Sequence, residues 1–215
     1  SWVTDESVLR ELENRYEQKS ADGGLDFTYA VTIQNHMSYT EEKYGDYACP
    51  EVETTAELSP EIQTAVNVYA EGIRDANAML AELTEFYSAQ EEPVLLLFFG
   101  DHLPYLGDNR QGYIELGLSA AEIYGGEDPY AAYTAPFLLW CNEAAAQELD
   151  FEAAIEALEL PGDGRISACY LGAAVRELCG RGEVSPGFGY LNEMRRELHI
   201  IHGGVFETAD GALTT

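Results

Sequence analysis

The stretch that most constrains the fold reads EPVLLLFFGDHLPYLG and spans Glu92–Gly107. Its uninterrupted apolar run, Pro93–Phe99, is too short to cross a bilayer and too uniform to alternate between core and solvent. Such a run predicts a strand that is buried on both faces, as in parallel sheets covered by helices. Ligands bind these sheets beyond the carboxyl ends of the strands, and Gly100-Asp101-His102 occupies that position. We therefore expect a functional site at Asp101 and His102.

Predicted helices and strands alternate along the chain, which indicates an α/β fold. Helices are predicted at Asp5–Lys19, Pro60–Tyr87, Ser119–Tyr124, Ile166–Cys179 and Gly189–Leu198. Strands are predicted at Leu25–Gln34, Pro93–Phe99 and Ala135–Asn142, and HIIHGGVFETADGALTT predicts a further strand and an edge hairpin with its turn at Ala209-Asp210-Gly211. Because helical connections separate the first three strands, we expect a mostly parallel sheet flanked by helices, in one domain over residues 1–215.

The longest predicted helix starts at Ser59-Pro60, because serine is a good N-cap and proline suits the first helical position. Apolar residues then recur at intervals of three and four, at Ile62, Val66, Tyr69, Ile73, Ala76, Leu80, Leu83 and Tyr87. These residues form one stripe, which we expect to pack on the sheet. Ser185-Pro186-Gly187 is interpreted as a break between the last two predicted helices.

The charge of the chain excludes some partners. Its 215 residues include 39 acidic side chains against 11 lysines and arginines, which gives a net charge of -28 at pH 7. This charge repels nucleic acid and anionic lipid, so no nucleic-acid partner is expected. No apolar stretch approaches the roughly 20 residues of a membrane helix, so no membrane segment is expected in this chain. The four cysteines show no CxxC spacing, which disfavours a zinc ribbon.

Asp101 and His102 combine a carboxylate with an imidazole, and both groups bind divalent metal ions. Neighbouring residues on a regular strand point to opposite faces, but the preceding Gly100 permits a turn that brings both side chains toward one point. The pair therefore predicts half of a metal site. The alternative is an aspartate that caps a turn beside a surface histidine.

A second polar pair, Asn35-His36, also follows a run rich in β-forming residues. If both strands are parallel members of one sheet, His36 and His102 lie on the same rim, where a pocket is expected. The alternative is that His36 opens a long solvated loop. His199 and His202 flank two isoleucines in the terminal strand, and we expect them to be structural or exposed.

Five segments together resemble a known family. In chain order they are FTYAVTIQNHMSY, YAEGIRDANAMLAELTEFY, PVLLLFFGDHLPYLG, YTAPFLLWCN and ISACYLGAAVREL. They resemble the carboxyl-terminal half of the sulfatase-type domain of lipoteichoic acid synthases and related phosphoglycerol transferases, a family of the alkaline phosphatase superfamily. The resemblance covers about Asp26 to Leu198 and implies an incomplete alkaline-phosphatase-like fold.

The resemblance also implies roles for individual residues. Asp101 and His102 match the family's metal ligands, which hold a divalent ion, commonly manganese or magnesium. His36 matches the histidine that helps to bind the phosphoglycerol group. In the family a proline and then an aromatic residue usually follow that histidine, whereas this chain reads Met37-Ser38-Tyr39, which keeps the aromatic residue and lacks the proline.

The family's nucleophilic threonine and acidic metal ligand lie in the amino-terminal half of its domain, and no segment here resembles that half. The resemblance therefore implies a fragment whose partner is this missing amino-terminal half. It also implies a membrane-anchored parent enzyme whose catalytic domain lies on the extracellular face of the cell membrane. We expect the fragment alone to be inactive, and a site that holds only Asp101 and His102 to bind metal weakly.

Three functions compete. The first is metal-dependent transfer of phosphoglycerol from an anionic phospholipid for cell-envelope polymer synthesis, with a phospholipid or glycerol phosphate as substrate. The second is a sulfatase or phosphodiesterase that hydrolyses a small anionic ester. The third is a non-catalytic acidic binding module, which the net charge of -28 favours, since a strongly negative surface suits an anionic donor only if bound metal reverses the local field.

Overall fold

The computed structural model describes residues 3–18, 24–123, 128, 130–162, 164–181, 185–208 and 211–214. The chain divides into two compact units. The first contains residues 1–89 and 99–136, and the second contains residues 90–98 and 137–215. Within the described ranges, no helix is both long enough and apolar enough to cross a membrane.

The first unit is helical. Its α-helices are α1 (Asp5–Glu17), α2 (Pro60–Ser88), α3 (Gln111–Glu115) and α4 (Ala120–Ile123), and short 3-10 helices lie at Glu41–Tyr44, Asp108–Arg110 and Ala131–Tyr133. Helix α1 begins where predicted because the Thr4 side chain caps it by accepting a hydrogen bond from the Ser7 N–H. The last residues of two predicted helices, Lys19 and Tyr124, lie outside the described residues.

Helix α2 begins at the predicted Pro60, but the face that it buries differs from the predicted stripe. Its buried apolar positions are Ile62, Ala65, Val68, Gly72, Met79 and Leu83. Ile73, which belongs to the predicted stripe, is 39% exposed. The prediction failed because α2 packs against α1 and the segments beside it, where small residues allow close approach. Tyr87 of the stripe instead contacts the ring of Tyr16 on α1, with ring centroids 5.4 Å apart.

A buried polar bridge joins α1 to α2. The Asp5 backbone N–H donates to Gln34 Oε1 at 2.7 Å, and Gln34 Nε2 donates to Asp75 Oδ2 on α2. Asp5 and Gln34 are almost completely buried, at 1% and 4% exposed. Burial, and then the neighbouring Asp75 carboxylate, raise the pKa of Asp5 from its ordinary value of 3.8 to about 6.

This bridge predicts an unusual dependence of stability on pH. Because folding raises the pKa of Asp5, its contribution to stability is fully present below pH 3.8 and is lost as the pH rises through about 6. The difference between the two pKa values corresponds to roughly 3 kcal/mol. We therefore expect Asp5→Asn to raise the free energy of unfolding above pH 6 by about 2 kcal/mol and to have little effect near pH 4. Urea denaturation at the two pH values, with the exposed Asp46→Asn as control, measures this; equal effects at both would contradict it.

The predicted strand Leu25–Gln34 is not a strand. Residues 24–33 run without turn or bend, but no strand pairs with them within the described ranges. The side chains of Phe27 and Val31 are 85% and 72% exposed. The residues of this segment have high β propensity, but a strand also needs a hydrogen-bonded neighbouring strand, which no described segment supplies.

The second unit contains the sheets. Its strands are β1 (Leu95–Phe99, whose last residue falls in the first unit), β2 (Phe137–Cys141), β3 (Leu198–His202), β4 (Val205–Thr208) and β5 (Leu213–Thr214). Its helices are α5 (Glu143–Leu149), α6 (Phe151–Ala157), α7 (Leu171–Leu178) and α8 (Pro186–Glu197), with a 3-10 turn at Ala168–Tyr170. Strands β1 and β2 form a two-stranded sheet, and β3, β4 and β5 form a three-stranded one.

The mostly parallel sheet was a wrong prediction for the described residues. The Asn142 N–H donates to the Val94 carbonyl and the Gly100 N–H donates to the Pro136 carbonyl, each at 3.1 Å. These bonds join the start of β1 to the end of β2 and the end of β1 to the start of β2, so the two strands run antiparallel. The strands of the terminal sheet are also antiparallel. A long connection of mostly short helices separates β1 from β2, and its composition does not determine in which direction the second strand returns.

The side chain of Asn142 holds the end of β2 and starts α5. Its Oδ1 accepts hydrogen bonds from the N–H groups of Val94 and Ala145, at 2.9 and 3.0 Å, and its Nδ2 donates to the Glu92 carbonyl at 2.7 Å. The residue is 2% exposed. Helices α5 and α6 were not predicted, although asparagine before an Ala- and Glu-rich run is a helix start signal.

A buried arginine joins the helices of the second unit. Arg195 on α8 is 1% exposed, and its guanidinium donates to Glu177 Oε2 at 2.8 Å, to Asn192 Oδ1 at 3.3 Å and to the Leu158 carbonyl. Helix α8 starts at Pro186, so Ser185-Pro186-Gly187 begins this helix and was wrongly interpreted as a break. Nearby, Leu158, Ala174 and Leu178 form the apolar core that packs against the β1–β2 sheet.

The terminal segment forms the predicted hairpin, because β4 and β5, which flank the predicted turn, pair antiparallel, and a second hairpin between β3 and β4 precedes it. Strands β3 and β4 are joined at Gly203-Gly204, whose φ angles are +57° and +83°. Two successive residues with positive φ form the turn that suits the twist of a two-residue hairpin, and glycine adopts it without strain. Of the predicted turn, Ala209 and Asp210 lie outside the described residues.

Candidate functional site

Asp101 and His102 lie immediately after β1, where the chain leaves the sheet, but in the described part of the chain β1 pairs with the antiparallel β2 and is not the expected central parallel strand. Both side chains reach solvent, with 84% of Asp101 and 67% of His102 exposed. They point to a common region, because Asp101 Oδ2 lies 3.5 Å from His102 Nε2. The His102 N–H also donates to Asp101 Oδ1 at 2.9 Å, so the backbone turn after Gly100 fixes the carboxylate against the histidine.

The hydrogen bond at His102 Nδ1 determines which nitrogen of the ring carries the proton. His102 Nδ1 lies 2.8 Å from the Leu103 carbonyl oxygen, and a carbonyl only accepts, so Nδ1 carries the proton. In the neutral ring the lone pair is then on Nε2, the atom that faces Asp101. Histidines that bind metals show this arrangement, in which one nitrogen is held by a backbone carbonyl and the other is the ligand.

The loop that follows His102 is anchored to the helices of the first unit. Tyr113 Oη donates to the Pro104 carbonyl at 2.6 Å, and the Gly112 N–H donates to the Leu106 carbonyl at 2.7 Å. A Cβ at Gly112 would lie 2.6 Å from the Leu106 Cβ, so only glycine allows α3 to approach the loop this closely. These hydrogen bonds fix the loop that directly follows Asp101 and His102 to α3.

His36 lies in a separate turn of the same unit. Its N–H donates to the Ile33 carbonyl at 3.1 Å, and its Nδ1 donates to the Met37 carbonyl at 2.8 Å. In its neutral form the ring thus carries a lone pair on Nε2, which is able to accept a hydrogen bond, whereas both nitrogens of the imidazolium form are donors. The alternative prediction, that His36 opens a loop, agrees with its exposure.

Tyr39 and Lys43 support this turn, and neither was predicted from sequence as a site residue. Tyr39 Oη donates to the Asn35 carbonyl at 2.9 Å, and Lys43 Nζ donates to the His36 carbonyl. The Lys43 ammonium also lies 5.6 Å from the centroid of the Tyr39 ring, a cation–π contact. Both residues are three or more positions from His36, so only the folded loop brings them to its backbone.

The hydroxyl of Tyr39 in this turn has a raised pKa. Burial raises the pKa of Tyr39, and the neighbouring tyrosines and the Asp101 carboxylate raise it further. Among these causes, the Asp101 carboxylate contributes least. The expectation that His36 lies within about 10 Å of Asp101, the span of a small ligand, stays a prediction.

Two further residues, Gln34 and Gly72, help to position the turn that carries His36. Gln34 directly precedes Asn35 and is held by its hydrogen bonds to Asp5 on α1 and Asp75 on α2. Gly72 on α2 leaves room for Asn35 itself, because a Cβ at position 72 would collide with the Asn35 carboxamide and lie 3.0 Å from its Cβ. A glycine inside a long predicted helix was the signal that a close approach occurs here.

The donor set at Asp101 and His102 is incomplete among the residues that the structure describes. One carboxylate and one imidazole are a suitable beginning of a site for Mn²⁺ or Mg²⁺. No group of three or more His, Cys, Asp or Glu side chains that could hold a metal ion occurs within the described ranges. His199 is buried and His202 half-buried on β3, in agreement with the structural role expected for them.

Comparisons with known proteins assign most of the chain to a family. The family model for sulfatases matches residues 2–160. A putative cyclic beta-1,2-glucan modification protein of Rhizobium meliloti (strain 1021) is 24% identical over 149 residues, which cover 68% of this chain and 22% of that protein. The chain thus spans less than a quarter of the length of this relative. No solved structure matches the chain at a significant level.

Because the family model covers most of the chain, including His36, Asp101 and His102, the chain belongs to the sulfatase family. This family implies an alkaline-phosphatase-like α/β fold and enzymes related to phosphoryl and sulfate esters.

Proposed function

We propose that this chain is part of a metal-dependent phosphoglycerol transferase that acts on the headgroup of an anionic phospholipid outside the cytoplasm. The observation that carries the proposal is the paired geometry of Asp101 and His102, with Nδ1 of His102 held by a carbonyl and Nε2 turned toward the carboxylate. This pair would hold Mn²⁺ or Mg²⁺ together with ligands from the partner, the amino-terminal half of the same domain. When bound, such an ion neutralises charge on phosphoryl oxygens and lowers the pKa of an attacking hydroxyl.

The chain's own residues would then orient the substrate. His36 accepts a hydrogen bond from a glycerol hydroxyl in its neutral form and donates one to a phosphoryl oxygen in its imidazolium form. Lys43, held at the His36 carbonyl, adds a positive charge beside this position in a chain that is otherwise strongly acidic. These groups offset the mismatch between the net charge and an anionic donor.

The acceptor is proposed to be a hydroxyl of a cell-envelope polymer. The relative's name describes modification of a cyclic glucan, a molecule rich in hydroxyl groups. This name supports a carbohydrate as the acceptor. The sulfatase family model favours a second candidate, hydrolysis of a sulfate or phosphate ester with water as acceptor.

A comparison of substrates separates these functions. We expect the complete protein, supplied with Mn²⁺, to transfer glycerol phosphate from phosphatidylglycerol to a hydroxyl of a glucan acceptor, with diacylglycerol released as the other product, and to leave an aryl sulfate ester intact. Mass spectrometry of the acceptor and release of free glycerol phosphate are the two readouts. Release without transfer, or cleavage of the sulfate ester alone, would establish the hydrolase instead. No turnover of either substrate would favour a non-catalytic module.

A further inference from the structure

The two segments that carry the candidate site residues pack on the same helix. The histidine turn, defined as residues 33–39, carries His36, and the acid loop, defined as residues 101–112, begins with Asp101 and His102. Both segments belong to the first unit, as does helix α2. The position at which each segment contacts α2 therefore contributes to the distance between His36 and the Asp101-His102 pair.

The acid loop contacts α2 at Ile62, a residue that is 1% exposed. A Cβ added at Gly112 would lie 3.3 Å from Ile62 Cγ2, and a Cβ added at Gly107 would lie 3.0 Å from Ile62 Cδ1. Gly107 also has a φ angle of +88°, which glycine adopts without strain. The two glycines therefore let the backbone of the acid loop lie directly on the Ile62 side chain.

The histidine turn contacts the same helix at Tyr69 and Gly72. The rings of Tyr39 and Tyr69 have centroids 5.5 Å apart and planes at 68°, which is an edge-to-face contact. Asn35 lies against Gly72, where an added side chain would collide with the Asn35 carboxamide. The Tyr39 hydroxyl donates to the Asn35 carbonyl at 2.9 Å, so Tyr39 joins Tyr69 to the residue that precedes His36.

These contacts lie at a fixed spacing along one face of α2. Ile62 and Tyr69 are seven residues apart, about two helical turns, and Gly72 follows Tyr69 by three residues on the same face. At 1.5 Å rise per residue, the positions of Ile62 and Tyr69 are about 10 Å apart along the helix axis. This spacing is of the same order as the small-ligand span that is expected between His36 and Asp101.

We propose that Tyr69 is a positioning residue, which acts through the ring of Tyr39 to hold the histidine turn at a set distance from the acid loop. This inference rests on the proposed function, because the distance matters only if His36 and the Asp101-His102 pair act on one substrate. Rates depend steeply on the alignment of reacting groups. A turn that is loosened on α2 would thus keep His36 but lose its alignment with the pair.

Hydrogen exchange in the complete protein tests the position of the turn without any assay of activity. Tyr69→Leu is expected to speed exchange of the His36 amide by about tenfold, because leucine keeps the helix but removes the ring contact. The Gly112 amide in the acid loop should keep its rate. Tyr69→Phe retains the ring and should change neither rate. Tyr190→Leu, at a tyrosine on α8 that is 61% exposed, is the control for loss of a ring elsewhere and should also change neither.

A second variant covers the case in which Tyr69→Leu prevents folding. Tyr39→Phe keeps its ring against Tyr69 and removes only the hydroxyl that holds the Asn35 carbonyl, so it should also speed exchange at His36 by roughly tenfold. An unchanged His36 rate in both variants would overturn the proposal. Equal acceleration at His36 and at Ile201 in β3 would show general destabilisation and would also remove the positioning role.

Kinetics of the complete protein with Mn²⁺ test whether the position of the turn matters for the reaction. Tyr69→Leu should lower kcat for phosphatidylglycerol, per bound Mn²⁺, by about tenfold with little change in KM, since alignment is lost and binding is kept. Tyr69→Phe should match the wild type. An unchanged kcat in Tyr69→Leu, with faster exchange at His36, would overturn the positioning role. A wild-type protein that transfers no glycerol phosphate would refute the proposed function, and the exchange rates would still decide whether Tyr69 holds the turn.

Discussion

Replacing His102 by alanine is expected to lower turnover of the complete protein by on the order of 10³-fold and to remove most of its bound metal. The reason is that His102 Nε2, the nitrogen opposite the carbonyl-bound Nδ1, is the proposed ligand. Loss of metal-based charge stabilisation costs several kcal/mol in the transition state, and about 4 kcal/mol corresponds to roughly 10³ in rate. Metal content by mass spectrometry and turnover of phosphatidylglycerol are measured on the same preparation.

His36→Ala is the matched variant, because its role is proposed to be in substrate binding. It is expected to lower turnover by roughly 10–100-fold, which corresponds to the loss of one hydrogen bond to a charged substrate group, and to leave the metal content unchanged. His202→Ala, on strand β3 of the second unit, should change neither quantity. Loss of metal in His36→Ala would show that its assigned role is wrong, and normal metal content in His102→Ala would remove His102 from the site.

The second large effect is on stability. Arg195→Ala is expected to lower the free energy of unfolding of the second unit by about 3–5 kcal/mol, because it removes one partner of a buried ion pair. The substitution leaves Glu177 without the closest partner of its Oε2, and the Leu158 carbonyl and Asn192 Oδ1 without a donor. Urea denaturation followed by circular dichroism measures the change.

An exposed ion pair is the control for Arg195. Arg15 on α1 lies 2.8 Å from Glu11, but both side chains are more than half exposed, at 63% and 59%. Arg15→Ala is therefore expected to cost less than about 1 kcal/mol. Similar costs for the two substitutions would show that the Arg195 network adds nothing to the stability of the unit.

Local signals predicted the elements that depend on a few neighbouring residues. The start of α2 at Pro60 is correct because proline fits the first helical position, although the Ser59 side chain donates to Glu115 and does not cap the helix. A strand does precede Gly100, but its residues are only half-buried, so the predicted burial on both faces was wrong.

Asp101 and His102 were placed at the end of β1 because they closely follow the apolar run. Their side-chain geometry depends on the Leu103 carbonyl, which is adjacent in sequence but whose orientation is not encoded by residue type.

Features that depend on distant residues could not be predicted. The buried face of α2 is set by α1 and by Asn35, which sits against Gly72, and not by the apolar periodicity of the helix alone. The direction of β2 depends on how a long irregular connection returns. Leu25–Thr32 has the pattern of a strand, but pairing is a property of two segments, and the second is not among the described residues.

Tyr39 and Lys43 show the same limit at the candidate site. A tyrosine and a lysine among many polar residues of a loop carry no signal of their own. Only the fold brings their side chains to the carbonyls of Asn35 and His36. Sequence therefore indicated which residues could act directly on a metal or substrate, and the structure was needed to find those that hold them in position.

The central claim, that His102 is a ligand of a divalent ion at this site, is tested most directly by pulsed electron paramagnetic resonance of the complete protein loaded with Mn²⁺. We expect modulation from one directly coordinated imidazole nitrogen, which persists in His36→Ala and disappears in His102→Ala. Asp101→Asn should weaken Mn²⁺ binding because it removes the charged ligand beside that histidine. A spectrum without nitrogen coupling, or coupling that survives His102→Ala, would contradict the account.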